Sequence, residues 1–454
     1  MVSPLRRMLV AFVAATLLVA GTLPALAQRE RASLVRDAEI ENTIRAYATP
    51  LLEAAGLDPA AVHIYLIEAN SINAFVAGGQ NIFLHTGLLT NARDPAAVIG
   101  VLAHEIGHIA GGHLARMPEA LENATIQSLI AILLGVGAVA SGVPDVGTVI
   151  LQGGTALATQ NIISFTVQQE QSADQAGLSY LTRTHQSAEG LLALLETLEQ
   201  QELLASERQN PYILTHPLTR DRLAHVRDYV ANSPDTGRPP SPEFAAIFAR
   251  MQAKLMGFLS APGTTLQHYA TADTSVAARY ARAIAYYRIP DLARALPEID
   301  GLIAEFPDDP YFHELKGQML FENGRIAEAI PPYERAVDLR PDIGLFRLGL
   351  AQAMIETGDP ALNEDALVQL RAALVNEEAN SLIWRSIGIA EGRKGNIGVS
   401  SLALAEEALL QGRLDDLRFH MQRAEQHLAQ DTPEWAQLEA LKREADDLEE
   451  RLRG

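Results

Sequence analysis

His104-Glu105-Ile106-Gly107-His108 is the stretch of this 454-residue sequence that decides the fold of its first domain. Residues four positions apart lie on one face of an α-helix, so His104 and His108 can present two imidazoles to one metal ion. Glu105 stands beside them, where its carboxylate can exchange a proton with a water molecule. This HExxH pattern predicts a zincin-type site in which the two histidines bind the metal and Glu105 is catalytic.

The residues around the motif predict a buried helix. Asp94-Pro95 supplies an N-cap and a proline at the first helical position, and the helix is predicted to run to about Met117. An ordinary amphipathic helix that happens to carry two histidines is the alternative. It would leave three buried polar side chains unsatisfied, because the other positions are apolar: Val98, Ile99, Val101, Leu102 and Ile106.

A catalytic metal of this kind needs a third protein ligand, and His113 is the nearest candidate. The metzincin pattern places Gly111 correctly but requires histidine at position 114, where this chain has Leu114. His113 is one residue away, which rotates a helical side chain by about 100°. We therefore interpret His113 as a residue of the helix C-terminus, favoured there by the helix dipole.

Glu170 is the second candidate for the third ligand. It shares a helix face with Asp174, four residues later. Glu170 can complete a site of two histidines and one glutamate, while Asp174 accepts a ring N–H from a ligating histidine. A solvated acidic pair on a surface helix is the alternative. The chain contains no cysteine, so histidine and carboxylate are the ligands to expect around Zn2+.

The overall charge excludes one class of partner. The formal net charge is −20 at pH 7, and the isoelectric point is about 5.0. An acidic surface repels phosphate and gains nothing from the release of counterions. We therefore expect no nucleic-acid partner.

The N-terminus has the pattern of a cleavable secretory signal peptide. Arg6 and Arg7 precede an uncharged apolar run over residues 8–23, and a small-residue cleavage pattern ends at Ala27. The apolar run is short for a membrane span, and no cysteine follows it, which excludes a lipoprotein. We expect residues 1–27 to be removed and the mature chain to reside in the periplasm.

Periodicity predicts a small β-sheet within an α+β metallopeptidase domain over residues 28–262. A helix is expected from Leu34 to Leu52, and Val62 to Glu68 alternates as a strand does. Ile72 to Ala77 and Asn81 to His85 flank Gly78-Gly79 and predict a β-hairpin. The whole chain is therefore expected to be mainly α-helical, with this small sheet near its start.

Residues 263–454 are predicted to form a tetratricopeptide-like array of helix pairs. Pro307 and Pro341 are 34 residues apart, and small and aromatic residues recur between them with the same period. The following unit fits this period only with a three-residue insertion, and a charged capping helix is expected from Pro433 to Leu452. The recurring positions of the central unit are Gly317, Leu320, Gly324, Ala329, Tyr333 and Ala336.

A long apolar stretch, residues 125–169, contains a single charged residue, Asp145. Each half is barely long enough to cross a bilayer and contains glycine, serine and glutamine. We predict a buried hairpin or a hairpin that touches the membrane surface. The alternative, an integral-membrane protease, requires this hairpin to insert.

These motifs together resemble a known family. HEIGH, the apolar stretch, Glu170 with Asp174, and Thr215-His216-Pro217 with Arg222 resemble the zinc metallopeptidase family of HtpX and the periplasmic beta-barrel assembly-enhancing protease. The latter also has C-terminal tetratricopeptide repeats, so the resemblance extends over the mature chain. It implies a zinc endopeptidase that cleaves misfolded or stalled exported proteins of the outer membrane and assists their assembly.

The resemblance also implies roles for residues outside the helix. Asn73-Ala74-Phe75 is similar to that family's edge-strand hairpin, which can hold a substrate backbone as an added strand. His216 is implied to lie near zinc, as a transition-state donor or as a fourth ligand that blocks the open position. An ordinary surface histidine remains the alternative. The implied partners are unfolded or misassembled proteins and, through the repeats, the barrel assembly machinery.

A function of a different class is also open at this point. The repeats can bind partners while the metal site is purely structural, which would make the protein a non-catalytic periplasmic chaperone or scaffold. An intact Glu105 speaks against this alternative, because a structural metal site needs no general base.

Overall fold

The structure is a computed structural model that describes residues 34–113, 166–204 and 211–453. The signal peptide predicted over residues 1–27 lies outside the described residues, as does nearly all of the predicted hairpin at 125–169. Among the described residues, no helix is both long enough and apolar enough to cross a membrane.

Four short strands form the sheet predicted near the start of the chain. They are β1 (Leu34–Val35), β2 (His63–Ile67), β3 (Ala74–Ala77) and β4 (Asn81–His85). Their order is β1-β2-β4-β3, with β2 and β4 parallel and the other two pairs antiparallel. The hairpin is confirmed, and it leaves β3 at the edge of the sheet.

Helices surround this sheet and account for most of the first part of the chain. They are α1 (Ala38–Ala55), α2 (Thr86–Asn91), α3 (Pro95–Ala110), α4 (Val167–Arg183), α5 (Glu189–Leu204), α6 (Pro211–Thr215), α7 (Arg220–Asn232), α8 (Pro242–Leu259) and α9 (Pro262–His268). The apolar faces of α1 to α8 share one core with the sheet. The predicted mainly helical α+β domain is confirmed.

Two predicted helix boundaries were wrong, and each error has a local cause. Helix α1 begins at Ala38 because the Asp37 side chain accepts a hydrogen bond from the Ile40 N–H at 2.9 Å and caps the helix. The residues before it instead form β1. Helix α3 ends at Ala110 and not near residue 117, because Gly112 adopts φ +63°, a left-handed conformation that reverses the chain.

Glycines bring α3 and α4 into close contact. A Cβ atom at Gly107, the fourth residue of HEIGH, would lie 2.7 Å from the Ala173 carbonyl oxygen. A Cβ atom at Gly177 would lie 3.0 Å from the backbone of Ala103. Both helices therefore need glycine at their crossing, and this approach carries Glu170 and Asp174 to the histidines.

The edge strand β3 pairs with β4 on one side only, and all four of its residues are buried. The His85 N–H donates to the Asn73 carbonyl at 3.0 Å, so the peptide groups of Asn73 and Phe75 face β4. Along an antiparallel strand these groups alternate in direction. The N–H and C=O of Ala74 and Val76 therefore face away from β4, toward the edge of the sheet.

The helices that follow are arranged in pairs, as the 34-residue period predicts. The pairs are α10 (Val276–Arg288) with α11 (Leu292–Glu305), α12 (Pro310–Glu322) with α13 (Ile326–Leu339), α14 (Gly344–Glu356) with α15 (Pro360–Leu374), and α16 (Ser381–Arg393) with α17 (Ile397–Leu410). Helix α18 (Leu414–His427) packs on α17, and α19 (Pro433–Arg453) is the predicted capping helix. The first three pairs begin 34 residues apart, and the fourth begins 37 residues after the third. This step confirms the predicted three-residue insertion.

Helix α8 joins the two parts of the chain. Phe248, Met251 and Leu255 lie in the core of the metallopeptidase part, while Gly257 packs so closely on α10 that a Cβ atom there would lie 2.9 Å from Ile284. One helix thus contributes to both cores. The domain boundary near residue 262 stays a prediction.

Charged side chains also link the repeats to the first part of the chain. Arg250 of α8 lies 2.6 Å from Glu39 of α1 and 2.5 Å from Asp309 at the start of α12. Lys254 is buried and lies 2.7 Å from Asp37. Separating the repeats from α8 would remove Asp309 from Arg250, and the loss of this ion pair opposes separation.

Candidate metal centre

Helices α3 and α4 bring three possible metal-binding side chains together in the interior. The Nε2 atoms of His104 and His108 are 3.1 Å apart. Glu170 places Oε1 3.2 Å from His108 Nε2 and Oε2 3.5 Å from His104 Nε2. All three side chains are fully buried. Ligand atoms 2.0–2.1 Å from a tetrahedral zinc ion are about 3.3 Å from one another, so this donor set fits zinc.

Asp174 lies behind His104, as the shared helix face predicts. Its Oδ1 is 2.9 Å from His104 Nδ1. A proton on Nδ1 leaves the lone pair of Nε2 directed at the other donors. Burial lowers the pKa of His104, but the carboxylates of Asp174 and Glu170 raise it to about 10. The surroundings of this ring therefore stabilise positive charge.

Arg222 is a site residue to which the sequence motif assigned no role. From α7 its guanidinium places Nε 2.7 Å from Asp174 Oδ2 and Nη1 2.5 Å from Glu170 Oε2. Burial raises the pKa of Asp174, but Arg222 and His104 outweigh it and lower that pKa to about 2. Arg222 thus favours the ionised form of Asp174, and its contacts hold both acidic side chains in place.

Glu105 is buried next to these donors. Neither of its carboxylate oxygens has a hydrogen-bond partner among the described residues, and Oε1 lies 3.5 Å from His216 Nε2. Burial raises the pKa of Glu105 above its usual range. A carboxylate with open acceptor positions and a raised pKa is suited to taking up a proton.

His216 is brought to the same site from a distant part of the sequence. It follows α6, is fully buried, and stacks on Tyr212 with 4.6 Å between ring centroids. Its Nδ1 lies 3.0 Å from Glu170 Oε1, and its Nε2 lies 3.2 Å from the Ala74 carbonyl oxygen of the edge strand. The alternative of a surface histidine is therefore wrong.

The edge strand begins beside this histidine. Asn73 is buried, and its Oδ1 has no hydrogen-bond partner among the described residues. Ala74 contacts His216 through its carbonyl, whereas the Phe75 ring stacks on Phe83 at 5.1 Å and supports the hairpin. Of the three predicted substrate-strand residues, Asn73 and Ala74 thus offer polar groups near the donors.

The architecture defines a class of protein. A helical histidine pair, a glutamate from the next described helix and a second glutamate free to act as a base are the parts of a metallopeptidase. Residues 35–230 match peptidase family M48, and residues 280–342 and 316–374 match the tetratricopeptide repeat. The chain is a metallopeptidase that is similar to family M48 over residues 35–230 and to tetratricopeptide repeats over residues 280–374.

Curated relatives resemble the chain along most of its length. It is 29% identical over 398 residues to the beta-barrel assembly-enhancing protease of Escherichia coli strain K12, which covers 85% of this chain and 79% of the relative. The protein of the same name from Yersinia pestis is 28% identical over 398 residues, with the same coverage. The metalloprotease LoiP of Escherichia coli is 26% identical over 165 residues, covering 35% of this chain and 59% of that protein.

Proposed function

We propose that this metallopeptidase is a periplasmic zinc endopeptidase that cleaves misfolded or stalled proteins destined for the outer membrane. The observation that carries the proposal is the buried donor set of His104, His108 and Glu170 beside the carboxylate of Glu105, which accepts no hydrogen bond from the described residues. The expected signal peptide and the names of the relatives support the periplasm and the substrate class.

Zinc would be held by His104, His108 and Glu170, with Asp174 and Arg222 fixing their orientation. Zinc bound there supplies Lewis acidity that polarises a peptide carbonyl and lowers the pKa of water. Glu105 accepts the proton of the attacking water on its carboxylate and then delivers it to the leaving amine. Its burial excludes bulk water, which would otherwise compete for that proton.

The edge strand supplies the substrate-binding surface. An extended peptide that pairs with β3 gains hydrogen bonds from the outward peptide groups of Ala74 and Val76, whatever its side chains are. The buried amide of Asn73 offers a further polar contact. Such backbone recognition requires an unfolded segment, which is why misfolded chains are the proposed substrates.

His216 is proposed to be a displaceable blocking ligand. Its imidazole stands between Glu105, Glu170 and the Ala74 carbonyl, so it occupies space that a paired substrate needs. The His104, His108, Glu170 and His216 donor atoms all lie within 4.8 Å of one another. A fourth ligand would fill the open position of the metal until the histidine moves.

Replacing His216 by alanine should therefore raise the rate at which an unfolded substrate is cleaved, at equal zinc occupancy. The measurement is casein hydrolysis with zinc quantified in the same samples. His225→Ala, which removes an exposed histidine of α7, is the matched control. A fall in turnover of about 10²-fold or more would instead assign His216 to transition-state stabilisation.

The repeats are proposed to recruit the outer-membrane assembly machinery. Stacked helix pairs form an extended surface suited to binding a protein partner. Attachment of the repeats through the Arg250–Asp309 ion pair would hold such a partner at a fixed distance from the metal site. The names of the relatives connect this architecture with barrel assembly.

Metal removal tests the proposed function. Purified residues 28–454 should contain one zinc per chain and hydrolyse both casein and an unfolded outer-membrane barrel protein. The same barrel protein folded in detergent should resist cleavage. Chelation should abolish hydrolysis, and Zn2+ should restore it while Mg2+ should not. A zinc-loaded protein that prevents aggregation of the unfolded chain without cleaving it would establish the chaperone alternative.

A further inference from the structure

His113 lies beyond the end of α3, but its side chain contacts the metal site. Its Nδ1 lies 3.1 Å from His108 Nδ1, and the two rings meet edge to face with 5.0 Å between their centroids. The sequence predicts His113 to be a residue of the helix C-terminus. The structure places it just beyond that end, because α3 ends at Ala110 and Gly111 is its C-cap.

Two glycines make this contact possible. Gly112 adopts φ +63°, which a residue with a side chain rarely adopts. A Cβ atom at Gly111 would lie 2.6 Å from His113 Nε2 and 2.9 Å from its Cε1. The Gly111-Gly112 pair thus leaves room for the His113 ring and turns the backbone toward His108.

The backbone of His113 is also tied to the helix that carries Glu170. The Gln169 side-chain amide donates to the His113 carbonyl at 3.4 Å. Gln169 in turn belongs to the capping box that begins α4 at Thr166. His113 is therefore held against both helices of the donor set.

The chemistry of the two ligating histidines shows what His113 does. His108 must present the lone pair of Nε2 to a metal, so its ring proton belongs on Nδ1. That proton points at His113 Nδ1, which can accept it when its own proton is on Nε2. His104 has the corresponding acceptor in Asp174, 2.9 Å from its Nδ1.

We infer that His113 is a positioning residue that accepts the Nδ1–H of His108 and fixes the tautomer and orientation of that ligand. The inference rests on the proposed metal site and adds to it an acceptor for the second histidine. Neutral acceptors behind ligating histidines raise metal affinity because they hold the ring in its binding orientation.

Replacing His113 by asparagine or by glutamine distinguishes the acceptance of the His108 hydrogen bond from simple packing. The Oδ1 of asparagine can occupy the place of His113 Nδ1 and accept from His108, whereas glutamine carries its amide oxygen farther out, near the place of Nε2. Zinc affinity, measured by competition with a chromophoric chelator on the full mature chain, should fall about 10–100-fold in His113→Gln and His113→Ala. His113→Asn should retain most of the wild-type affinity.

His313→Ala, which removes a half-buried histidine of the repeats, is the control and should bind zinc as the wild type does. Equal zinc affinity in wild type, His113→Ala and His113→Gln would overturn the role of His113 while leaving the metal site intact. An equal loss in His113→Asn and His113→Gln would also overturn it, since packing alone would then explain the loss. A wild-type protein that binds no zinc would overturn the proposed function itself.

Discussion

Replacing Glu105 by glutamine should leave the zinc content unchanged and lower the turnover of an unfolded substrate by about 10²–10⁴-fold. Glutamine has nearly the same shape as glutamate, so the buried site keeps its packing. Glu105 is not among the four residues whose donor atoms lie together, which are His104, His108, Glu170 and His216. Its replacement therefore removes no metal ligand. The amide cannot accept the proton of water, which is the step assigned to this residue.

The measurement pairs zinc analysis with the rate of casein hydrolysis. Glu53→Gln makes the same chemical change at an exposed position of α1 and should have wild-type activity. Equal turnover in wild type and Glu105→Gln would show that another group is the base. Loss of zinc from Glu105→Gln would show that Glu105 belongs to the ligand set.

The parts of the site that could be predicted from the sequence are those set by local helix geometry. His104 and His108 are neighbours because they are four residues apart on one helix, and the same spacing joins Glu170 to Asp174. The buried environment was also predictable, since the remaining positions of α3 are apolar. The 34-residue period likewise predicted that the helices are arranged in pairs, because each repeat makes similar contacts with the next.

The contacts made by Arg222 and His113 could not be predicted in this way. Arg222 meets Asp174 across 48 residues of sequence, and no local periodicity connects them. His113 reaches His108 because the helix ends before Gly112. The left-handed conformation of Gly112 cannot be predicted from the pattern of apolar residues. The packing of Lys254 against α1 was missed for the same reason, since it joins two helices far apart in the chain.

Arg222→Ala should lower the free energy of unfolding by about 3–5 kcal/mol, because it removes the guanidinium from two buried carboxylates and leaves them, among the described residues, only their histidine contacts. The guanidinium contacts Asp174 through Nε at 2.7 Å and Nη2 at 2.9 Å, and Glu170 through Nη1 at 2.5 Å. Arg222→Lys should recover only part of the loss, since one ammonium group cannot reproduce the planar, bidentate contact.

Urea denaturation of the metal-free protein in the Glu105→Gln background measures this effect without self-cleavage. Arg227→Ala on the same helix is the matched control, because it breaks an exposed pair with Glu196, 2.7 Å away, and should cost about 1 kcal/mol or less. Equal small losses at the two positions would mean that Arg222 does not stabilise the acidic pair. A large loss confined to Arg222 would show that the protein folds around a charge network that holds Glu170 and Asp174 in position before any metal binds.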